Sequence, residues 1–328
     1  VSVRRLECRH ERFKVRGTFT IARGSRTHAD VVLVEIAEGG ARGRGECVPY
    51  PRYGESVAGV LAQIEAQRAL IEGGGSRADL ARALPPGAAR NALDCALWDL
   101  EAELAGKPVW RLAGVQAPKP VITAFTLSLG SPESMAEAAR AAADRPVLKV
   151  KLGGEGDLAR IRAVRAAAPK AKLLVDANES WHPDWVASWL DVMAECGVAL
   201  VEQPLPTDKD GMLADIPHPV PVGADESVHA TDSLDRLVGR YEVVNLKLDK
   251  TGGFTEGLAF ARRAQELGFG LMVGCMLGTS LAMAPALLLA QRATFVDLDG
   301  PLLLAEDRTP SLRYQGSLVQ PPPPELWG

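Results

Sequence analysis

Residues 147–156 read VLKVKLGGEG, an apolar, β-branched run that carries two lysines two positions apart and ends in glycines. Its length and composition are those of a buried strand. Side chains at i and i+2 share one face of a strand, so Lys149 and Lys151 point the same way, into what the flanking pattern makes core. Segments of the same kind recur along the chain: VITAFTL (121–127), KLLVDA (172–177), VALVEQ (198–203), PVGADE (221–226), VVNLKL (243–248), FGLMVG (269–274) and TFVDLD (294–299). Polar residues mark their ends at Lys151, Asp176, Glu202, Asp225, Lys247, Cys275 and Asp297, 22 to 28 residues apart, the length of one βα unit. Near-continuous apolar strands alternating with mostly helical stretches imply a parallel sheet buried on both faces. The regular eightfold repeat, with no GxGxxG turn after its first strand, favours an α/β fold of the (β/α)8 type, a modified TIM barrel, over an open doubly wound sheet. In such a barrel the active site lies at the mouth where the strands end, which is where these polar residues converge.

The chain ahead of the barrel has a different grammar. LECRHERFKVRG (6–17) and DVVLVEIAEGGARGRGECVPY (30–50) have the pattern of antiparallel strands with Gly-rich turns. Val57, Val60, Leu61 and Ile64, then Leu93, Leu97, Leu100 and Leu104, recur at helical spacing, the second series stopping at GKP (106–108). The expected organisation is an N-terminal α+β capping domain over residues 1–115, the barrel over 116–305, and a C-terminal segment, 306–328, returning to the cap. PPPPELWG, at 321–328, is expected to lie on the surface as a tail.

Composition narrows the functional classes. With 47% hydrophobic and 24% charged residues and a net charge of −4, neither a disordered chain nor a polyanion-binding surface is indicated, so nucleic acid is not an expected partner. Five scattered cysteines without a CxxC pair fit reduced thiols and a cytoplasmic setting. The longest apolar run, LAMAPALLLA (281–290), falls far short of the ~20 residues of a membrane span, and a soluble protein is expected. Homo-oligomerisation is left open.

Three carboxylates end three successive strands: Asp176, Glu202 and Asp225. Crowded at one mouth they would repel and raise one another's pKa, so a divalent cation held between them is the economical explanation. All-oxygen ligands favour Mg²⁺, one per subunit, with Mn²⁺ as a substitute. Any single acid at a strand end is more often a helix cap. Three in consecutive units are not. Asn178 and Glu226, just beyond, are candidates to support the ligands or to cap. Lys149 and Lys151 stand on one side of the triad and Lys247 on the other, across the mouth. Lys250 has the character of an ordinary ion-pair partner, and the five histidines show no ligand spacing. Asp297 and Asp299 alternate on the last strand and suggest a site for a substrate ammonium group.

LKVKL, DANESW, VEQPLP, ADES, NLKLDKTGG and DLDGP, in this order, with FTIARGSRT, ECVPYPRYGES and ARNALDCALWDL before them, resemble the enolase superfamily and, within it, the dipeptide epimerases. The resemblance spans nearly the whole chain. It implies a Mg²⁺-assisted 1,1-proton transfer in which Lys151 and Lys247 serve opposite faces of the substrate α-carbon through an enediolate. The implied substrate is a small dipeptide, L-Ala-D/L-Glu, from cell-wall peptide. Asp297 and Asp299 would hold its free amino terminus, Arg23 in the specificity loop would meet the acidic side chain, and Thr126 and Cys275 would line the site. A free lysine titrates near ~10.4, whereas a base at neutral pH works best near ~7 to 8. Lys149, about 6.6 Å away along the strand, is expected to help by repelling the charged form of Lys151, an effect on the order of 2.5 kcal/mol. It is also placed to donate to the substrate carboxylate. N-acylamino acid racemases, o-succinylbenzoate synthases and cycloisomerases share the lysine pair, but the DLD pair argues against them. A noncatalytic metal-binding barrel would need neither opposed lysine.

Overall fold

The computed structural model describes residues 4–328. Three antiparallel strands open the chain: β1 (Arg5–Ile21), β2 (Gly24–Glu38) and β3 (Ala41–Cys47), in the order β1-β2-β3. The β1–β2 register shifts between Lys14 and Phe19, and the far end of this hairpin carries Arg23 and Arg26 over the barrel mouth. Helices α1 (Val57–Ala66), α2 (Arg68–Glu72), α3 (Arg77–Ala83) and α4 (Ala88–Ala105) cover one face of the sheet. Contact between α4 and β3 is close because Gly43 and Gly45 have no side chain. A Cβ there would lie 2.1 Å from the Ala96 carbonyl oxygen and 2.0 Å from that of Ala92. Leu93, Leu97 and Leu100 are buried on this face as expected, but Leu104 is exposed. Leu104 lies in the last turn, two residues before Gly106, which at φ 59° ends the helix in a left-handed cap. A short α5 (Val109–Leu112) follows.

The barrel consists of β5 (Phe125–Leu127), β6 (Val147–Lys151), β7 (Lys172–Asp176), β8 (Val198–Glu202), β9 (Val222–Ala224), β10 (Val243–Leu246), β11 (Gly270–Gly274) and β12 (Phe295–Asp297). Neighbours pair in parallel and in chain order, and the Ala124 N–H donates to the Val296 carbonyl at 2.8 Å across the closing seam. The first expected strand is therefore split. Val121–Ile122 forms β4, which leaves the barrel to pair with a C-terminal hairpin of β13 (Tyr314–Gln315) and β14 (Leu318–Val319). Ala124, Leu174, Leu200, Val243 and Met272 fill the interior. Outside stand α6 (Pro132–Ala141), α7 (Asp157–Ala167), α8 (Pro183–Glu195), α9 (Leu248–Thr251), α10 (Phe254–Glu266), α11 (Ser280–Ala290) and α12 (Gly300–Leu303).

Two crossovers depart from the helical expectation. After β8 and after β9 the chain runs through short 3-10 turns at Asp210–Asp215, Thr231–Ser233 and Asp235–Leu237. Pro204, Pro206, Pro217, Pro219 and Pro221 crowd the first of these connections, and each lacks the N–H that an α-helix interior needs. The C-terminal stretch is not a surface tail. Leu326 and Trp327 are buried, with the Trp327 indole donating to the Cys95 carbonyl at 3.0 Å, because the apolar pair fills a gap between α4 and α10. No helix among the described residues is long and apolar enough to cross a membrane.

Candidate active site

Register places the polar layer. Lys151 pairs laterally with Asp176, Asp176 with Glu202, and Glu202 with Gly223, so three charged side chains share one level at the strand ends. One level down, Lys149 pairs with Leu174 and Leu174 with Leu200. Lys149 thus rises from the apolar layer into the polar one. It is 1% exposed and lies 2.6 Å from Glu202, 2.7 Å from Asp297 and 3.3 Å from Asp176. Lys151 donates to Asp176 at 2.5 Å. Lys247, just past β10 and four strands around from β6, donates to Asp225 at 2.6 Å.

Asp176, Glu202 and Asp225 are buried and each offers an oxygen within 4.8 Å of the others. Hard oxygen donors so arranged fit a divalent cation. Their titration differs with their partners. Burial pushes Asp176 up, but Lys151 and Lys149 outweigh it and bring it to about 2. Burial and then Asp176 raise Glu202 to about 7. Asp225 is held well below the usual range, its burial offset by Lys247 and Lys250.

The role of Lys149 as a repelling neighbour of Lys151 is corrected by this geometry, since three carboxylates compensate its charge. Its own pKa stands well above the usual value: burial lowers it, and Asp297 and Glu202 more than reverse that. For Lys247, likewise, burial is overcome by Asp225 and Glu202, and the carboxylate layer by itself holds it charged.

A cavity of about 390 Å³ opens at the mouth beneath the β1–β2 hairpin. Lys151, Lys247, Asp225, Asn178, Glu226, Arg23 and Cys275 line it, together with Arg26, Tyr50, Tyr53, Met276 and others. Lys149, Asp176, Glu202, Thr126, Asp297 and Asp299 do not line it. Asp297 already meets Lys149 of β6 through Oδ2 at 2.7 Å, while its buried Oδ1 has no hydrogen-bond partner among the described residues. Asp299 lies beyond β12 and accepts the Thr126 backbone N–H at 2.6 Å; burial and then Asp297 raise it to about 7.

Arg23 is not a free fork. It meets Glu226 at 2.7 Å, Glu179 at 3.3 Å, the Asn178 carbonyl at 3.1 Å and the Tyr50 hydroxyl at 3.2 Å. Arg26 lies 5.2 Å from the Tyr50 ring centre and has no carboxylate partner among the described residues. Asn178 donates its backbone N–H to Asp176 and its side-chain amide to Glu226. Burial and then Asp225 raise the Glu226 pKa.

Lys250 is an ion-pair partner, but a buried one. It lies 2.6 Å from both the carboxylate and the carbonyl of Asp225. The ion-pair reading of Lys250 holds, although sequence reasoning gave it no place at the site, and it passed over Asn245 and Gln203. Asn245 donates to Glu202 at 2.6 Å. It stands two positions before Lys247, so the same alternation that singled out the lysines points to it. Gln203 is fully buried between the β8 and β9 ends.

Family comparison agrees with this architecture. Residues 4–114 match the mandelate racemase / muconate lactonizing enzyme N-terminal domain, and residues 134–322 the enolase C-terminal domain-like family. The chain is 51% identical over 298 residues to the L-Ala-D/L-Glu epimerase of Escherichia coli (strain K12), covering 90% of this chain and 93% of that one. It is 43% identical over 302 residues to an N-acetyl-D-glutamate racemase of Pseudoalteromonas sp, covering 91% and 95%. A solved structure of an enolase family member from Agrobacterium tumefaciens, with homology to dipeptide epimerases and with bound sodium and L-Ala-L-Glu, superposes with a TM-score of 0.98. It has 56% identity and covers 99% of this chain and 100% of that one. A capping sheet over a barrel, an acidic triad between facing lysines and both family matches lead to one statement: this chain belongs to the mandelate racemase / muconate lactonizing enzyme family of the enolase superfamily.

Proposed function

We propose that the chain is an isomerase, a dipeptide epimerase that moves the α-proton of the C-terminal residue of L-Ala-D/L-Glu from one face to the other. The observation that carries this reading is the placement of Lys151 and Lys247 on opposite walls of one cavity, with the carboxylates between them. Neutral Lys151 takes the α-proton from one face while Lys247 as ammonium gives a proton to the other. After one turnover their protonation states have exchanged, which is what the reverse direction requires. Asp176, Glu202 and Asp225 would hold Mg²⁺, or Mn²⁺ in its place. When bound, the cation supplies positive charge against the negative charge that grows on the substrate carboxylate as the proton leaves. Lys149, already ion-paired with Asp176, Glu202 and Asp297, is the proposed donor towards the same carboxylate, and Asn178 and Glu226 steady the ligand loops.

Asp297 and Asp299 are the proposed acceptors for the free ammonium, whose arrival stabilises the charged form of Asp299. Arg23, or Arg26 with its uncommitted guanidinium, would meet the acidic side chain. Thr126 holds Asp299 in place and Cys275 lines the cavity. Residues 1–115 as cap, 116–305 as barrel and 306–328 as a returning segment, a cytoplasmic setting and cell-wall peptide as the dipeptide source complete the proposal.

The resemblance to an N-acetyl-D-glutamate racemase favours a second reading, in which the amino group is acylated. One experiment separates the two. The protein is incubated with Mg²⁺ in D₂O against a dipeptide library and N-acetyl amino acids, and deuterium uptake is read by mass. Uptake at the C-terminal residue of Ala-Glu is expected to lead the set. Faster uptake by N-acetylglutamate would overturn the dipeptide assignment.

A further inference from the structure

Among the described residues three non-glycine positions have positive φ: Asn178 at 46°, Glu179 at 67° and Gln203 at 36°. Each follows a strand-end carboxylate by one to three residues. Left-handed backbone at a residue with a side chain costs energy, and it persists where surrounding contacts over-determine it. Here those contacts converge on Gln203. Its carbonyl accepts the Glu179 N–H at 2.9 Å, and its own N–H donates to the Gly223 carbonyl at 2.8 Å. Its side-chain Oε1 accepts the N–H groups of Asp225 at 3.0 Å and Ser227 at 3.1 Å. Its Nε2 faces the Leu205 carbonyl at 2.9 Å, the Ser227 hydroxyl at 2.9 Å and the Tyr241 hydroxyl at 3.1 Å.

The amide has one orientation that satisfies this ring of partners, with oxygen towards two backbone donors and nitrogen towards a carbonyl. No carboxylate can do the same, because a glutamate has nothing to donate to Leu205. Nor is there an alternative donor or acceptor in reach of solvent, since Gln203 is fully buried. The ends of β7, β8 and β9 are therefore joined through one residue, and these are the three strand ends that carry Asp176, Glu202 and Asp225.

We propose that Gln203 is a positioning residue that sets the spacing of the carboxylate triad by clamping the three loop ends that bear it. The consequence for cation binding rests on the reading of the triad as a metal site, whereas the clamp itself does not. Gln203→Met keeps the volume and removes every side-chain hydrogen bond. Tyr241→Phe disturbs the same buried network on the Nε2 side and leaves both amides on Oε1.

The test pairs Mn²⁺ titration, followed by electron paramagnetic resonance, with hydrogen exchange of the Asp225 and Ser227 amides in metal-free protein. Gln203→Met is expected to bind Mn²⁺ roughly 10- to 100-fold more weakly, the usual cost of losing support behind a ligand. Its two amides should exchange faster. Tyr241→Phe should match the parent in both. If Gln203→Met does not fold, Gln203→Asn, with the same chemistry drawn back by one methylene, should show both effects in smaller measure. A residue needed only for stability would lower the melting temperature and leave the Mn²⁺ affinity of the folded protein intact. Parent-like affinity and parent-like amide protection in the substituted protein would overturn the proposal. Should the parent itself bind no Mn²⁺, the metal reading fails, and the amide exchange still decides the clamp.

Discussion

At the residue scale, the two lysines make the sharpest prediction. Because they face opposite sides of the cavity, Lys151→Ala and Lys247→Ala should each abolish epimerisation, a loss of at least about 100-fold from removing one acid–base group. Each variant should retain slow α-proton exchange on one epimer, and the two surviving epimers should be opposite. Proton NMR in D₂O reads both quantities, and near-parent epimerisation by either variant would refute the two-base assignment. The candidates Lys149, Lys151, Asp176, Glu202 and Asp225 were legible because strand alternation fixes which way a side chain points, and each interrupts an apolar run. What the alternation cannot give is the partner. Lys149 is a neighbour of Lys151 in sequence, yet its ammonium meets Asp297 and Glu202, and that pairing depends on how the barrel closes. Gln203 was illegible for a related reason: an amide next to a carboxylate carries no signal until its buried donors and acceptors are known.

At the scale of elements, the eight-strand repeat was legible in spacing alone, while connections and edges were not. The prolines after Glu202 are visible in sequence, but that they replace a crossover helix with 3-10 turns, and that Val121–Ile122 leaves the barrel for the C-terminal hairpin, depends on partners far along the chain. The contact of α4 with β3 is of the same kind. In sequence, Gly43 and Gly45 look like turn glycines of ARGRGEC; in the fold they are the floor on which α4 rests. Gly45→Ala would press a methyl group to within 2.0 Å of the Ala92 carbonyl oxygen. Overpacking of this severity is expected to cost about 1–3 kcal/mol or more. Thermal unfolding should show the loss, whereas Gly40→Ala, with open space around its Cβ, tests the separate cost of a left-handed φ of 91°. Equal melting temperatures for parent and Gly45→Ala would contradict the close packing.

Across the whole molecule, buried polar groups join cap and barrel alongside apolar contacts such as Trp98 against Phe254. Asp249 of α9 accepts the Val48 N–H at 3.0 Å and the Asn91 amide at 2.9 Å, and burial, with Glu55 and Glu46 adding to it, raises its pKa to about 7. The unfolded chain would release this proton near ~3.9, so between about pH 4 and pH 7 the folded state binds more protons and loses stability as pH rises. Asp249→Asn keeps an acceptor for both donors and removes the ionisation. The variant should match the parent near pH 4 and exceed it above pH 7, by on the order of 4 kcal/mol at most. Urea titrations at pH 5 and pH 8 measure the difference, and a gap that does not widen with pH would contradict it.

The segment after the barrel takes part in the same joint. Arg308 reaches Glu46 of β3 at 2.6 Å, Glu11 of β1 at 2.7 Å and the Thr279 hydroxyl ahead of α11 at 3.0 Å. Val15 of β1 bridges Leu304, and the Arg44 side chain donates to the carbonyls of Glu325 and Leu326. The cap is thus one body in space made of two stretches of sequence. Anyone grafting the cap of one family member onto the barrel of another, to carry a substrate preference across, would have to transplant two pieces. A single cut near residue 115 leaves Glu46 buried opposite a foreign arginine position, and recombination in nature faces the same constraint. Preference and barrel should then tend to be inherited together, with change arriving through the hairpin between β1 and β2, which can vary without disturbing that joint.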